Sequence, residues 1–263
     1  MERTNQKSIM LGVLFLIMTF LFTRGFYAPF FVLVIALLLL VAFFNEEKRV
    51  IAWMVVSFFL GNLLLVYTDN YIESFRLSPY SLVMTSQLLL WIPILMISYV
   101  IKQFNQVISP YLQKPILRGE IRLPFRIVCS LRKFCIIICL FSTLSIIGLL
   151  LLKREEMQWH PFLFILLFSS IHALLEEVLW RGLLLPKLIT ITNQQLGIVV
   201  TSMAFGINTT MFGFSIMISI IYIFLGLFFG FLTIRFKSIF PSVIVHFSVT
   251  TLLLILGWIV IPL

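Results

Sequence analysis

The stretch Phe214–Ile234 reads FSIMISIIYIFLGLFFGFLTI and contains no charged residue. A helix needs roughly 20 mostly apolar residues to cross the hydrocarbon core of a bilayer, and this stretch is long enough. In hydrocarbon every backbone N–H and C=O must be paired within the chain, which leaves only helices and closed barrels as spanning structures. Barrel strands alternate in polarity over about 10 residues, whereas this run is continuously apolar. We therefore expect a transmembrane helix here.

The composition extends this expectation to the whole chain. Of its 263 residues 61% are hydrophobic and only 11% are charged, whereas soluble domains carry about 25% charged residues. The sequence therefore predicts an all-α, polytopic bundle of eight to nine transmembrane helices; nine is preferred, and eight is the alternative because the seventh and eighth runs are nearly fused. The runs are Ser8–Phe22, Tyr27–Phe44, Val50–Tyr67, Leu82–Ile101, Phe134–Leu152, Phe162–Trp180, Leu196–Phe212, Phe214–Ile234 and Ile239–Val260.

The net charge of +9 is explained by membrane topology. If the N-terminus is cytoplasmic and nine spans alternate, 15 of the 19 Lys and Arg residues fall in cytoplasmic segments and four fall outside. This is the bias of the positive-inside rule. We therefore expect an integral membrane protein, of a bacterial cell membrane, that has the lipid bilayer and no nucleic acid as partner.

The longest loop, Lys102–Arg126, is basic and contains three prolines. It divides the chain into residues 1–126, with the N-terminal transmembrane helices and this loop, and residues 127–263, with the C-terminal helices. We expect this second region to hold the functional site.

Of ten acidic residues, only Glu176 and Glu177 lie inside a predicted span. A carboxylate at the centre of a bilayer costs about 2.5–3.5 kcal/mol even on a lenient scale, so both need partners. Arg181 is four residues after Glu177, a spacing that allows an ion pair along one helix face. His172 is four residues before Glu176 and shares its face. The alternative is a purely structural ion pair at the cytoplasmic end of the helix.

Two further polar positions interrupt apolar runs. Asn208 and Thr209 follow Phe205 in the seventh run, where they either line a site or mark a helix break between spans. His246 is the ionisable residue of the last run, so a functional role and a packing role are both open.

The stretch Glu176–Pro186, EEVLWRGLLLP, resembles the EExxxR(G) motif of the CPBP family, the Abi or CAAX-type intramembrane proteases. Thr201–Gly206 is similar to the start of the second family motif, FxxxH. Gly226, Gly230, the segment Arg235–Pro241 and His246 resemble the approach to the third motif, HxxxN. The resemblance covers residues 160–255 and none of the N-terminal helices.

The resemblance implies that a glutamate activates a water for attack on a substrate peptide bond. By position, Glu176 is then the general base, and Glu177 and Arg181 organise the site. Phe205 opens the second motif. His246 is a donor to the oxyanion.

Two motif positions differ from the family, because Thr209 stands at the second-motif His and Thr250 at the third-motif Asn. A Thr hydroxyl forms hydrogen bonds but does not act as a base near neutral pH. Either another group replaces the missing histidine, with His172 and Asn208 as candidates, or the chain is a non-catalytic relative.

The resemblance favours an intramembrane endopeptidase that acts on a peptide or membrane-protein substrate. A degenerate relative that serves as a membrane scaffold, regulator or bacteriocin self-immunity protein is the main alternative, and a small transporter is a distant one, since no inverted repeat is evident. We expect no cofactor and no metal site, because the three histidines are scattered along the sequence.

The charge bias yields a test of topology. In a background without Cys129, Cys135 and Cys139, we expect Gln113→Cys to be protected from a membrane-impermeant maleimide added outside cells, and Leu263→Cys to be labelled. Equal labelling of both positions would contradict the nine-span arrangement and favour the eight-span alternative.

Overall fold

The computed structural model describes residues 6–117, 120–122, 128–152 and 159–258. Helices account for most of them, so the predicted all-α class is confirmed. The exception is a two-stranded antiparallel hairpin, β1 (Glu120–Arg122) and β2 (Val128–Ser130), in which Ile121 pairs with Cys129. Three residues at which predicted segments end lie outside the described residues, namely Arg126, Val260 and Leu263.

The helices follow one another through short connections. In chain order they are α1 (Gln6–Thr23), α2 (Tyr27–Val41), α3 (Glu46–Glu73), α4 (Pro79–Leu88), α5 (Trp91–Gln103), α6 (Leu131–Leu152), α7 (Trp159–Glu177), a π-helical segment (Val178–Leu184), α8 (Leu185–Ile191), α9 (Gln194–Asn208), a 3₁₀ segment (Thr209–Phe212), α10 (Ile216–Phe236) and α11 (Phe240–Ile255).

Five helical stretches among the described residues are long and apolar enough to cross a membrane. Shorter apolar helices cover Ser8–Thr23, Tyr27–Val41 and Phe240–Ile255. The architecture is therefore polytopic, while the count of eight to nine spans stays a prediction. The five long stretches are Glu46–Glu73, Pro79–Gln103, Leu131–Gly148, Phe162–Ile191 and Ile216–Phe236.

Two predicted spans are not regular helices. The predicted run Leu82–Ile101 is divided into α4 and α5 by a turn at Leu89 and Leu90. Pro93 explains the break, because proline has no N–H to donate and its ring disfavours helical continuation through the preceding turn. The predicted run Phe162–Trp180 is part of a longer helical stretch that reaches Ile191. This stretch is irregular because it includes the π-helical segment.

The chain forms two compact units, each built from separate parts of the sequence. The first comprises Met1–Leu65, Ile92–Pro110 and Leu179–Phe231. In it α1 packs against α2 and α9, and α8 packs against α9. Its core includes a group of phenylalanines whose ring centroids lie 5.1–6.0 Å apart, with interplanar angles of 51–79°. The group consists of Phe15, Phe22, Phe30, Phe58 and Phe59.

The second unit comprises Val66–Trp91, Tyr111–Val178 and Leu232–Leu263. In it α11 packs against both α6 and α7, and α4 packs against α7. Local signals fix where these helices start. Ser78 caps α4 by accepting a hydrogen bond from Ser81 N, with Pro79 in the first turn, and Pro241 occupies the first turn of α11. These three contacts bring α4, α7 and α11 together around buried polar side chains.

Close helix approach in the first unit depends on Gly206. A Cβ at this position would lie 2.6 Å from Ser219 O and 2.3 Å from Ile223 Cγ1, so it would push α9 away from α10. Small residues of this kind permit close packing of membrane helices. We expect Gly206→Ala to lower the melting temperature in detergent.

Gly148→Ala in α6 is the matched control, because a Cβ there would meet nothing within 4 Å. Alanine is the better helix former by up to about 1 kcal/mol, so this variant should be neutral or stabilising. Equal melting temperatures for the two variants would show that α9 and α10 do not pack as described.

Candidate functional site

The last two turns of α7 carry the acidic pair. His172 and Glu176 are four residues apart and therefore share one face of this helix. His172 Nε2 lies 3.4 Å from Glu176 Oε2. Glu176 and Glu177 are 2% and 0% exposed, so neither carboxylate reaches water directly. Their charges must be balanced by groups on neighbouring helices.

His246 of α11 contacts both carboxylates. Its Nδ1 lies 3.0 Å from Glu177 Oε1, a hydrogen bond in which the ring N–H donates to the carboxylate. Its Nε2 lies 3.7 Å from Glu176 Oε2. One imidazole ring therefore meets the two adjacent glutamates through its two nitrogens, and the packing of α11 on α7 sets this arrangement.

His172 is held by two groups of its own. Its Nδ1 lies 2.7 Å from Gln87 Oε1 on α4, so the ring donates to the amide oxygen and presents Nε2 to Glu176. Phe168, one turn earlier on α7, stacks on the ring with a centroid distance of 5.6 Å and an interplanar angle of 9°. The rings of His172 and His246 meet edge to face at 5.5 Å. The orientation of His172 is thus fixed on two sides.

These contacts make one buried cluster of His172, Glu176 and His246. One ligand-type atom of each residue lies within 4.8 Å of the others. The expectation that the chain has no metal site rested on histidines scattered along the sequence. The fold brings two of the three, His172 and His246, to the same carboxylate, and the expectation itself stays a prediction.

A second buried group, in the first unit, surrounds Arg181. The Cζ atom of Arg181 lies 4.2 Å from the centroid of the Phe205 ring and 5.2 Å from that of the Phe229 ring. These distances are typical of cation–π contacts. Its Nη2 donates to Gly226 O at 3.3 Å. A Cβ at Gly226 would lie 3.2 Å from the same Nη2 and 3.0 Å from Ser202 Cβ. Arg181, Phe205 and Gly226, which belong to different motif stretches, therefore meet in space.

The ion pair between Glu177 and Arg181 stays a prediction. Its spacing argument assumed a regular α-helix, but α7 ends at Glu177 and Arg181 lies in the π-helical segment. π-Helical turns hydrogen-bond over five residues and are frequent at functional sites. The regular four-residue geometry therefore does not apply to this interval.

The positions that differ from the family pattern are buried as well. In the first unit, Thr209 Oγ1 donates to Gly206 O at 2.7 Å and shares a hydrogen bond with Ser219 Oγ at 2.9 Å. Asn208 is the last residue of α9, where the helix passes into the 3₁₀ segment. In the second unit, Thr250 lies one turn after His246, and its buried Oγ1 has no hydrogen-bond partner among the described residues.

Gln87 is not among the site residues predicted from the sequence. This residue lies in an N-terminal helix, outside the stretch that resembles the protease family, so no motif pointed to it. A signal was present, since an amide side chain in an otherwise apolar predicted span needs a polar partner. The sequence could not identify His172 as that partner, because 85 residues separate the two.

Comparison with known families agrees with the resemblance found in the sequence. Residues 158–252 match the family model described as type II CAAX prenyl endopeptidase Rce1-like. This match contains the two glutamates, Arg181 and His246, so the resemblance to the CPBP or CAAX-type family is confirmed. No curated protein and no solved structure matches the chain significantly. The family and the five long apolar helices together indicate an integral membrane protein.

The two glutamates should differ in their effect on stability. Glu177→Ala removes the buried acceptor of the His246 Nδ1–H group. A buried donor left without a partner lowers the free energy of unfolding by about 1–3 kcal/mol. The loss is about 3–5 kcal/mol where the broken contact is a buried ion pair. Glu176→Ala relieves a desolvated carboxylate, so its cost is smaller. We expect the lower melting temperature for Glu177→Ala in detergent.

Glu177→Gln is the control, because its amide oxygen still accepts from the ring. It should melt closer to the parent protein than Glu177→Ala does. A lower melting temperature for Glu176→Ala than for Glu177→Ala would show that the structural partner of His246 has been assigned to the wrong carboxylate.

Proposed function

We propose that this chain, whose residues 158–252 match the family model described as type II CAAX prenyl endopeptidase Rce1-like, is an intramembrane endopeptidase. It would hydrolyse a peptide bond close to the membrane at the cluster of His172, Glu176 and His246. Glu176 lies within a helical stretch long enough to span the bilayer, so the substrate must present its peptide bond from the lipid or from the membrane surface.

Glu176 is the general base of the proposed reaction. Its carboxylate takes a proton from water while the water oxygen forms a bond with the scissile carbonyl carbon. The tetrahedral intermediate then collapses, the C–N bond breaks, and the proton passes to the leaving amine. General acid–base groups of this kind contribute about 10²–10⁴-fold to a rate.

The observation that supports this proposal best is the place of His172. The family motif expects an acid/base histidine where the chain has Thr209, and the hydroxyl of Thr209 is engaged with Gly206 and Ser219. His172 Nε2 instead lies 3.4 Å from Glu176 Oε2. We assign His172 the transfer of the proton from Glu176 to the leaving amine.

His246 and Thr250 are suited to stabilise the oxyanion. For His246 to donate from Nε2 while Nδ1 donates to Glu177, the ring must carry a proton on both nitrogens, and the Glu177 carboxylate balances the resulting charge. Thr250 Oγ1 follows one turn later on α11 and supplies a hydroxyl where the family has Asn. Donors of this type are each worth about 10²–10³ in rate.

The substrate class follows from the family rather than from the geometry. The family name points to prenylated C-terminal segments, and the resemblance to CPBP proteins adds peptide pheromones and bacteriocins. All are short, flexible segments at a membrane surface. A peptide that carries a lipid anchor next to the scissile bond is therefore the probe of choice.

A catalytically degenerate scaffold or self-immunity protein is the second candidate. Two motif positions hold threonine. The hydrogen bonds of Thr209 to Gly206 and Ser219 agree equally well with a chain that has lost catalysis and with one in which another residue serves as the base. Such a protein would bind a membrane partner through the same buried region without cutting it. If the parent protein cuts no lipid-anchored peptide and Thr209→His with Thr250→Asn restores cleavage, this second candidate is correct.

The assignment of Glu176 and His172 is tested by cleavage of a lipid-anchored peptide in nanodiscs. We expect His172→Ala to lower the rate about 10²–10⁴-fold, as for a lost acid/base group, and Glu176→Gln to abolish turnover. The melting temperature of each variant separates loss of chemistry from loss of folding.

Two exposed positions supply matched controls. Glu73→Gln removes a carboxylate at the end of α3, and Leu174→Ala truncates an exposed side chain of α7 between the two site residues. Both should cleave at the parent rate. Cleavage that persists in Glu176→Ala would overturn the endopeptidase assignment at this site.

A further inference from the structure

We propose that the hydroxyl group of Ser169 on α7 is a subsite for the substrate. It binds a backbone group of the peptide at a position about three residues from the scissile bond. This inference rests on the proposed function, because it names a further contact of the same substrate. It adds a requirement of its own, namely that the peptide extends from Glu176 along α7 as far as Ser169.

Ser169 is a buried polar residue whose hydroxyl has no hydrogen-bond partner in the described part of the chain. Its exposed fraction is 0%, and Ser169 Oγ bonds to no described residue. Burying a hydroxyl without a hydrogen bond is unfavourable, so most buried hydroxyls in proteins are paired and an exception calls for an explanation. A ligand group that pairs with Ser169 Oγ supplies one.

Other serines in α7 and α11 show how a helix usually satisfies such a group. Ser170 Oγ donates to Leu166 O at 2.7 Å, and Ser248 Oγ donates to Ile244 O at 2.8 Å. This bond to the carbonyl one turn earlier is a common choice for a serine within a helix. Ser169 Oγ makes no such bond. Its hydroxyl is therefore available to a group that does not belong to α7.

Ser169 shares a helix face with the proposed base. His172 follows it by three residues and Glu176 by seven, and these intervals place all three on one side of α7. At a rise of about 1.5 Å per residue, Ser169 lies about 10.5 Å from Glu176 along the helix axis. An extended peptide covers about 3.3 Å per residue, so about three residues span this interval.

The surroundings of Ser169 favour a backbone group as its partner. The buried residues beside it on α7 include the apolar Phe168 and Ala173. An extended peptide carries an unpaired N–H and C=O at each residue, and these groups are costly at membrane depth unless they are paired. A serine hydroxyl both donates and accepts, so Ser169 can pair with either group. The contact selects the length and the extended conformation of the substrate rather than its side chains.

The test is the binding of prenyl-anchored peptides to the full-length protein in nanodiscs. In a series of peptides one backbone amide at a time is replaced by an ester, which lacks the N–H donor and has a weaker acceptor oxygen. We expect one ester, about three residues from the scissile bond, to weaken binding to the parent protein about 2–10-fold, the effect of one lost hydrogen bond. Ser169→Ala should bind the all-amide peptide more weakly by a similar factor and should not distinguish it from this ester.

Two further measurements separate a substrate contact from a structural role. Ser169→Ala removes a buried hydroxyl without a described partner and introduces a better helix former. We therefore expect its melting temperature to equal or exceed that of the parent protein. In the cleavage assay its effect should fall on KM rather than on kcat, as for a contact made equally in the bound substrate and in the transition state.

Ser170→Ala is the matched control, because it makes the same change at the exposed neighbour, whose hydroxyl bonds to Leu166 O. It should bind the amide and ester peptides as the parent protein does. Equal discrimination between amide and ester by the parent protein and Ser169→Ala would overturn the proposal, as would the absence of peptide binding by the folded parent protein.

The cleavage assay separates these results from the fate of the proposed function. Cleavage that shows the same ester pattern in the parent protein and in Ser169→Ala retains the endopeptidase and rejects the subsite. Peptide binding that depends on the Ser169 hydroxyl, without cleavage, retains the subsite and rejects the endopeptidase.

Discussion

The hydrogen bond between His246 and Glu177 is the contact on which the described site depends. It joins α11 to the end of α7 at a point where two consecutive carboxylates are buried. Removing a carboxylate from water costs several kcal/mol unless polar partners replace the water. His246 Nδ1 supplies this partner to Glu177, and the same ring places its Nε2 3.7 Å from Glu176 Oε2.

The need of buried polar groups for polar partners also accounts for the contacts of His172 and Gln87. His172 reaches Glu176 from one helical turn away, and Gln87 reaches His172 from α4. Each polar group in this series has its orientation set by the next one, which is how buried polar networks become rigid. An N-terminal helix outside the family match therefore takes part in a site that the family motifs describe only through C-terminal residues.

In the first unit a buried cation is accommodated by other means. The guanidinium of Arg181 faces the Phe205 and Phe229 rings and donates to the backbone at Gly226. Aromatic faces and a carbonyl oxygen give a planar cation favourable contacts without a water shell. Side chains and backbone from three separate motif stretches of the sequence therefore meet around this one cation.

The sequence by itself determined that the protein is a helical membrane protein, and it singled out Glu176 and Glu177 as the carboxylates inside a predicted span. Long uncharged runs leave no alternative to membrane helices, and two glutamates inside such a run stand out because the bilayer makes charge costly. The helix spacing also placed His172 on the face of Glu176. Tertiary structure alone decided that Gln87 orients His172, that His246 meets both glutamates, and that Thr209 bonds to Ser219. The first two contacts join helices that are distant along the chain, and the third joins consecutive elements ten residues apart. In each case, periodicity within one helix carries no information about which side chain a neighbouring element will present.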